Sequence, residues 1–264
     1  MKFFTPALRG VGVSAGILSL LTVSAQHPDD RYTSGPDVVT DSLSYFLRMS
    51  DVPDSYFILP PHATPGTPEF QRDSVRYEWG KAMRMTARGD TAVTDARVGG
   101  DGVPRAFSEA FGIEITSQTT PQIYKLIVRM REDAGDLATR KAKRKYDRER
   151  PFIHFDEATC NPEQQAELSH NGSYPSGHTS IGWATALVLA EINPDRQDLI
   201  LRRGYEMGES RVICGYHYQS DVDAGRVTGS MIVARLHADA GFCHQLELAK
   251  EEFRLLKEAG LIAH

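Results

Sequence analysis

From residue 178 onward, apolar residues return every three or four positions. Ile181, Ala184, Leu187, Val188 and Ile192 fall on one helical face, and Asn193-Pro194 ends the run, because proline has no backbone N–H to continue a helix. Asp195 or Asp198 is placed to cap the next helix, which carries Leu199, Ile200 and Tyr205. Further helical patterns cover roughly residues 218–238 and 241–259, the second strongly amphipathic through Leu246, Phe253 and Leu256. Upstream, the spacing predicts a long helix over residues 69–88 and a shorter one over 104–111. Thr120-Pro121 reads as a cap followed by a first-turn proline, opening a long helical segment to about residue 148 with Ile123, Leu126, Ile127 and Met130 as its apolar face. The prolines between residues 59 and 68 force extended chain, while residues 41–49 can form a short helix. Residues 151–177 lack a helical period and read as a long loop, which in a compact domain is usually functional. With no repeat and no strand-like alternation beyond a few residues, the expected fold class is all-α, in one domain.

The extreme N-terminus departs from this pattern. Lys2 and Arg9 flank the start of an apolar run at residues 11–23, and Val23-Ser24-Ala25 has the small residues of a cleavage site, the layout of an export signal. The run is shorter than the roughly 20 residues of a membrane anchor, and no Cys follows it to direct lipidation. Residues 1–25 are therefore expected to be cleaved, leaving 26–54 as a polar leader with the short helix and 55–264 as the folded domain. Cleavage removes two positive charges and no negative one, taking the formal net charge from −5 to −7. The mature protein is expected to be soluble, acidic and periplasmic or secreted, without stable membrane insertion. Asp and Glu number 35 against 30 Lys and Arg, so the basic excess that nucleic acid demands is missing and no nucleic-acid partner is expected.

Three cysteines, Cys160, Cys214 and Cys243, allow one disulfide in an oxidising compartment, and the sequence does not choose among the three pairings. None lies in a C-x-x-C motif or is followed six residues on by arginine, so neither cysteine metal binding nor a cysteine-dependent phosphatase fits.

Chemistry concentrates in three clusters. Lys143 and Arg150 lie about two helical turns apart and so share a side, with Pro151 halting the helix. Glu132 and Asp136, about three and two turns before Lys143, share its face. Arg140, Lys141, Arg144, Lys145 and Arg148 crowd the same stretch, which taken alone reads as a solvated basic face. Second, Pro175-Ser176-Gly177-His178 stands where the loop enters an apolar helix. Open backbone N–H groups, a glycine and the Ser176 hydroxyl make an anion cradle with His178 in its first turn, although the same residues would serve as an ordinary cap. Third come Ser210-Arg211, His217 and Asp221. If helical, Asp221 can reach one ring nitrogen of His217, fixing the tautomer and freeing the other as nucleophile or base; an isolated pair is as readily structural. Three cations, a cradle, an oriented histidine and a second histidine together fit phosphoryl transfer.

In all eleven specified positions, Lys143-x6-Arg150-Pro151, Pro175-Ser176-Gly177-His178 and Ser210-Arg211-x5-His217-x3-Asp221 resemble the signature of the type 2 phosphatidic acid phosphatase (PAP2) superfamily, which includes the vanadium haloperoxidases. Their surroundings are similar to bacterial class A non-specific acid phosphatases: Gly172-Ser173-Tyr174, Ile181-Gly182-Trp183-Ala184, the run from Arg211 to His217, the run from Glu132 to Thr139, and Leu59-Pro60-Pro61. The resemblance runs from about residue 55 to the last helix and implies a compact helical bundle of that type. It implies that Lys143, Arg150 and Arg211, with Ser176 and the Gly177 N–H, bind the non-bridging phosphate oxygens. His217, oriented by Asp221, would attack phosphorus to form a phosphohistidine, and His178 would protonate the leaving alcohol and later assist water. No metal and no cofactor is implied, since three fixed cations take a metal's place. Glu132 is expected beside Lys143, tuning or holding it. If the clusters converge, Cys160–Cys214 is the expected disulfide, with Cys243 free or intermolecular, and the other histidines are expected to be structural or at the surface.

The implied activity is hydrolysis of small-molecule phosphate monoesters in mildly acidic solution, nucleotides among them, with transfer to an alcohol as a variant of the second step. Alternatives on the same site are an apyrase-like nucleotide diphosphohydrolase, a vanadate-dependent haloperoxidase and a non-catalytic phosphate-binding protein. Asp221-Val222-Asp223-Ala224-Gly225 faintly resembles an aspartate-nucleophile phosphatase, but that family needs a preceding hydrophobic strand, and Tyr218-Gln219-Ser220 is polar. An apolar helical face such as that at 246–256 could supply the interface of a homo-oligomer.

Overall fold

The computed structural model describes residues 45–262, so the expected export signal lies outside the described residues. Among them every regular element is helical: α1 (Ser55–Ile58), α2 (Pro68–Met83), α3 (Ala87–Asp95), α4 (Gly102–Phe111), α5 (Pro121–Glu132), α6 (Arg140–Tyr146), α7 (Pro151–His154), α8 (Gln165–Leu168), α9 (Gly177–Ile192), α10 (Gln197–Ile213), α11 (Gln219–Leu236) and α12 (Ala240–Glu258), with a π turn at Asp133–Leu137. No helix among the described residues is long and apolar enough to cross a membrane.

Helix α9 is the axis. Its expected single apolar face understates its burial, because Thr179, Ser180, Gly182, Thr185 and Ala186 are buried as well. These small residues let α10 and α11 close on two sides. A Cβ on Gly204 of α10 would fall 2.4 Å from Ala186 Cβ, and Cβ atoms on Gly225 and Gly229 of α11 would fall 2.7 and 2.8 Å from the Ser176 and Ser180 carbonyl oxygens. Outside this trio, α2, α3 and α4 pack on α10, and α12 packs on α5. Phe107, Phe111, Ile123, Leu126, Ile127, Met130, Leu189 and Phe242 fill the main core, joined by Phe46, Leu47 and Val52; each such side chain contributes roughly 1.5–3 kcal/mol when fully buried.

Several predicted elements are broken or displaced by tertiary contacts. The helix expected over 41–49 is absent from its described part. The Phe46 and Leu47 N–H groups donate instead to the Asp133 carboxylate, at 3.0 and 2.9 Å, before a short 3-10 turn at Met49–Asp51. The helix expected over 69–88 divides into α2 and α3 where Arg84 turns to donate to the Ile213 and Ala158 carbonyls, both at 2.7 Å. The long segment from 121 to 148 divides at the π turn and again before Arg140. Asp133, Gly135, Asp136 and Thr139 are poor helix formers, and a Gly135 Cβ would fall 2.7 Å from Ile181 Cδ1 of α9. Thr120 makes no side-chain cap; the Glu252 carboxylate of α12 accepts the Gln122 and Ile123 N–H groups instead. Neither Asp195 nor Asp198 is the N-cap of α10, which follows a 3-10 turn at Pro194–Arg196, and Asp195 pairs with Lys257. The stretch 151–177 is irregular apart from α7, α8 and one 3-10 turn. On α12, Leu246 and Phe253 are buried in the main core.

Gly225→Ala should destabilise the protein by about 1–3 kcal/mol, the usual cost of overpacking, because backbone on α9 cannot move aside as a side-chain tip can. Denaturant unfolding checks this; an unchanged midpoint would mean that α11 can back away from α9.

Candidate active site

Three separated parts of the chain meet at the N-terminus of α9: α6 with the segment leading to α7, the cradle itself, and the junction between α10 and α11. The Cys160–Cys214 disulfide ties the loop before the cradle to the end of α10. Cys243 is unpaired.

His217 Nδ1 lies 3.4 Å from Asp221 Oδ2, but the two residues are not on one helix as the spacing suggested. His217 precedes α11, and Asp221 sits in its first turn, where Oδ2 also accepts the Tyr218 N–H at 2.9 Å. The carboxylate thus caps α11 and orients the imidazole at once. Ser173 Oγ donates to Asp221 Oδ2 at 2.5 Å and lies 3.3 Å from His217 Nδ1. On the far side of the ring, Arg150 Nη1 donates to Nε2 at 3.2 Å. A guanidinium can only donate, so Nε2 carries the lone pair and Nδ1 the proton. Burial, then Arg150, push the His217 pKa well below the ordinary imidazole value, against the pull of Asp221. Burial would raise Asp221, but the Arg148 guanidinium and the His217 contact hold it well below the usual carboxylate range.

The cations reach the site by different routes. Helix α6 ends at Tyr146 with Asp147 in a left-handed turn, so Lys143 and Arg150 do not share a helix, and Pro151 starts α7 instead of halting a longer helix. Lys143 lies on the buried face of α6 and donates to the Gly172 carbonyl at 2.6 Å; burial, Arg150 and Arg211 lower its pKa well below that of a free ammonium. Arg150 is held by the Leu168, Asn171 and Tyr216 carbonyls at 2.8, 2.9 and 3.1 Å. Arg211 differs. It is 1% exposed and lies over the Tyr216 ring, 4.3 Å from its centroid, yet Nε, Nη1 and Nη2 have no hydrogen-bond partner among the described residues. Burial lowers its pKa to about 10, leaving it a cation at any ordinary pH. A buried guanidinium with every donor open is costly unless an anion meets it.

At the start of α9 the capping role expected of Ser176 is what the structure shows. It is the N-cap of α9, its oxygen accepting the Thr179 N–H at 3.3 Å and hydroxyl at 2.9 Å, which leaves its own proton to donate elsewhere. The Gly177 N–H lies in the first turn, where no intrahelical acceptor exists. His178 is fixed through Nε2, 3.2 Å from the Ala96 carbonyl; since a carbonyl only accepts, Nε2 bears the proton and Nδ1 the lone pair. Burial, Arg211 and His217 lower the His178 pKa well below the ordinary value. Glu132 and Lys143 do not share a helix: they lie on α5 and α6, with the π turn between them. Glu132 pairs with Arg131 at 2.7 Å, while Asp136 pairs with buried Arg140.

Of the basic stretch read as solvated, Lys141, Arg144 and Lys145 are exposed, but Arg140 and Arg148 are buried. Arg148 bridges Asp73 and Asp221, and neither it nor Asp73 had any spacing signal. Ser173 adjoined a recognised motif without being singled out. Asp95 accepts from Ser210 Oγ at 2.5 Å and pairs with Arg203, fixing the end of α3 just before the carbonyl that holds His178.

The description "PAP2 superfamily" fits residues 134–242, which contain all three clusters. A non-specific acid phosphatase of Providencia stuartii is 55% identical over 85% of this chain and 90% of its own length. One of Salmonella typhimurium is 39% identical over 84% and 87% of the two chains, and an acid phosphatase of Zymomonas mobilis is 36% identical over 80% and 78%.

In phosphate-free buffer, Arg211→Met should be at least as stable as the parent protein, since an unpaired buried ion costs several kcal/mol. Inorganic phosphate should raise the Tm of the parent and not of the variant. Thermal melts with and without phosphate decide it: an equal rise in both proteins would mean that the guanidinium does not face the anion.

Proposed function

The chain belongs to the class A non-specific acid phosphatases of the PAP2 superfamily, and from this we propose that it hydrolyses small phosphate monoesters through a phosphohistidine on His217, without a metal, after export to the periplasm or medium. The observation that carries the proposal is Arg211: three open donors on one buried cation, in a site whose His217 ring carries its lone pair on Nε2.

In the first step Arg211, Arg150 and Lys143 hold the non-bridging oxygens, with Ser176 Oγ and the Gly177 N–H completing the cradle. Arg150 Nη1 gives up the Nε2 lone pair, which attacks phosphorus in line. The Nε2–P bond forms as the bond to the leaving oxygen breaks, and Asp221 stabilises the proton that stays on Nδ1. His178 supplies a proton to the leaving alkoxide. Burial and Arg211 keep that imidazole neutral in the free site, and the bound phosphate's negative charge offsets Arg211 so that the ring takes up a proton. In the second step His178, now neutral, accepts a proton from water as its oxygen attacks phosphorus, releasing phosphate and regenerating His217. An alcohol in place of water would give phosphotransfer. Each of these groups addresses the phosphoryl group, which supports broad tolerance of leaving groups, nucleotides included. Guanidinium and ammonium groups supply the charge neutralisation that a metal would otherwise provide. The Cys160–Cys214 disulfide supports an oxidising compartment.

His217→Ala should be inactive, and rapid-quench labelling of the parent protein should trap radioactive phosphorus on His217; a chemically quenched burst without label there refutes covalent catalysis. His178→Ala should lose about 10²–10⁴-fold with alkyl phosphates, the usual worth of a general acid, and far less with nitrophenyl phosphate, whose leaving group departs without a proton. Equal losses on both substrates would remove His178 from that role. Because its neighbours hold His217 neutral, kcat/KM should persist below the ordinary imidazole pKa of about 6.5 and fall only in stronger acid, where Nε2 is protonated. A pH profile with its acid limb at or above neutrality contradicts this, and activity abolished by a chelator contradicts metal independence.

A further inference from the structure

One buried cation beside the site is not among the groups assigned above to phosphate. The Arg148 side chain is 3% exposed, and its terminal nitrogens bond to side chains and a carbonyl of the protein itself. Nη1 donates to Asp221 Oδ1 at 2.5 Å and to Ser220 Oγ at 2.8 Å, and Nη2 donates to Asp73 Oδ2 at 2.8 Å and the Ala63 carbonyl at 3.2 Å. Its guanidinium lies over the Tyr218 ring, 3.9 Å from the centroid. Asp73, on α2, is equally buried. Its Oδ1 accepts the Ser220 N–H at 2.8 Å and its Oδ2 the Ser220 hydroxyl at 2.6 Å. The result is a buried line of alternating charge from α2 to the imidazole: Asp73, Arg148, Asp221, His217.

We propose that Arg148, anchored by Asp73, is a positioning residue of the reaction: it fixes Asp221 as an ionised carboxylate with Oδ2 turned to His217, so that Nε2 keeps its lone pair in acidic solution. The role rests on His217 being the nucleophile. The geometry divides the work between the two carboxylate oxygens. Oδ1 is occupied by Arg148, while Oδ2 receives Ser173, the Tyr218 N–H and the His217 pair. Without the cation, a fully buried carboxylate would take up a proton as the medium becomes acidic, and a neutral carboxylic acid neither fixes the Nδ1–H tautomer nor stabilises the charge that develops on the ring. The charged groups around the pair are Arg148 and Asp73 on one side and Arg150, Lys143, His178 and Arg211 on the other. The second set is the one assigned above to phosphate, and replacing Arg148 removes none of its contacts.

The test compares the parent protein with Arg148→Gln, Arg148→Lys and Asp73→Asn on nitrophenyl phosphate. Arg148→Gln should lose about 10²-fold in kcat at neutral pH, less than the ~10⁴-fold known for neutralising the orienting carboxylate of a serine-hydrolase triad. Inhibition by inorganic phosphate should be unchanged, since no phosphate contact is removed. The loss at about pH 5 should exceed that at about pH 7 by roughly tenfold, because Asp221 and His217 then both protonate more readily. Arg148→Lys should recover part of the rate. Should Arg148→Gln not fold, Asp73→Asn, which keeps the Arg148–Asp221 pair but slackens its anchor, should show the same pH-dependent loss in smaller degree. A folded Arg148→Gln or Asp73→Asn protein with the parent's kcat and pH profile overturns the proposal, as does a loss matched by weaker phosphate inhibition. Rapid-quench labelling of the parent separates the two claims: no label on His217 defeats the covalent mechanism itself, whereas label on His217 with unaltered variants defeats only the role of Arg148.

Discussion

The structure depends on positive charge that is buried before any substrate arrives. Lys143, Arg148, Arg150 and Arg211 are all withdrawn from water around one imidazole. Such ions survive burial only if their donors are satisfied, and the protein satisfies all but one of them from within. Lys143 and Arg150 lean on carbonyls and Arg148 on two carboxylates, while the donors of Arg211 stay open among the described residues. The same field keeps His217 neutral. An imidazole in water is largely protonated, and so not nucleophilic, in acid. Placed among fixed cations away from water, the His217 ring holds a proton far less readily.

The scaffold serves this charge cluster by holding the elements at close quarters. Small residues on α9 and glycines on α10 and α11 bring backbones together, so the first turn of α9 and the start of α11 lie side by side; the Ser176 N–H donates to the Asp221 carbonyl at 3.0 Å. The π turn and the early end of α6 turn Lys143 and Arg150 toward the cradle from two different segments. Covalent closure between Cys160 and Cys214 keeps the loop that carries the Arg150-binding carbonyls against the element that carries Arg211. The precision needed for phosphoryl transfer thus rests mostly on backbone proximity.

Helix identity was legible where periodicity was strong, as in α9, α11 and α12. It failed where a distant group competed for the backbone. The Asp133 carboxylate claimed two N–H groups of the segment at 46–47, Arg84 left its helix for two carbonyls, and Glu252 took over the capping expected of Thr120. Local propensity cannot register partners that are far away in sequence. Burial was misjudged for the same reason. Arg148 and Lys145 look alike in a basic run, yet one is enclosed and the other solvated, and the carboxylate that distinguishes them, Asp73, is 75 residues away.

By itself the sequence determined the residue types of the candidate site and their grouping into three motifs, because functional groups are written in the chain. It also determined the all-helical class, since the hydrophobic period is a local property. Tertiary structure alone decided which cations carry a counter-charge and which one stands open, which nitrogen of each histidine holds the proton, and that Asp73 and Arg148 stand behind Asp221. Those outcomes depend on distances of about 3 Å between groups far apart in sequence, and distance of that kind comes into being only when the chain packs.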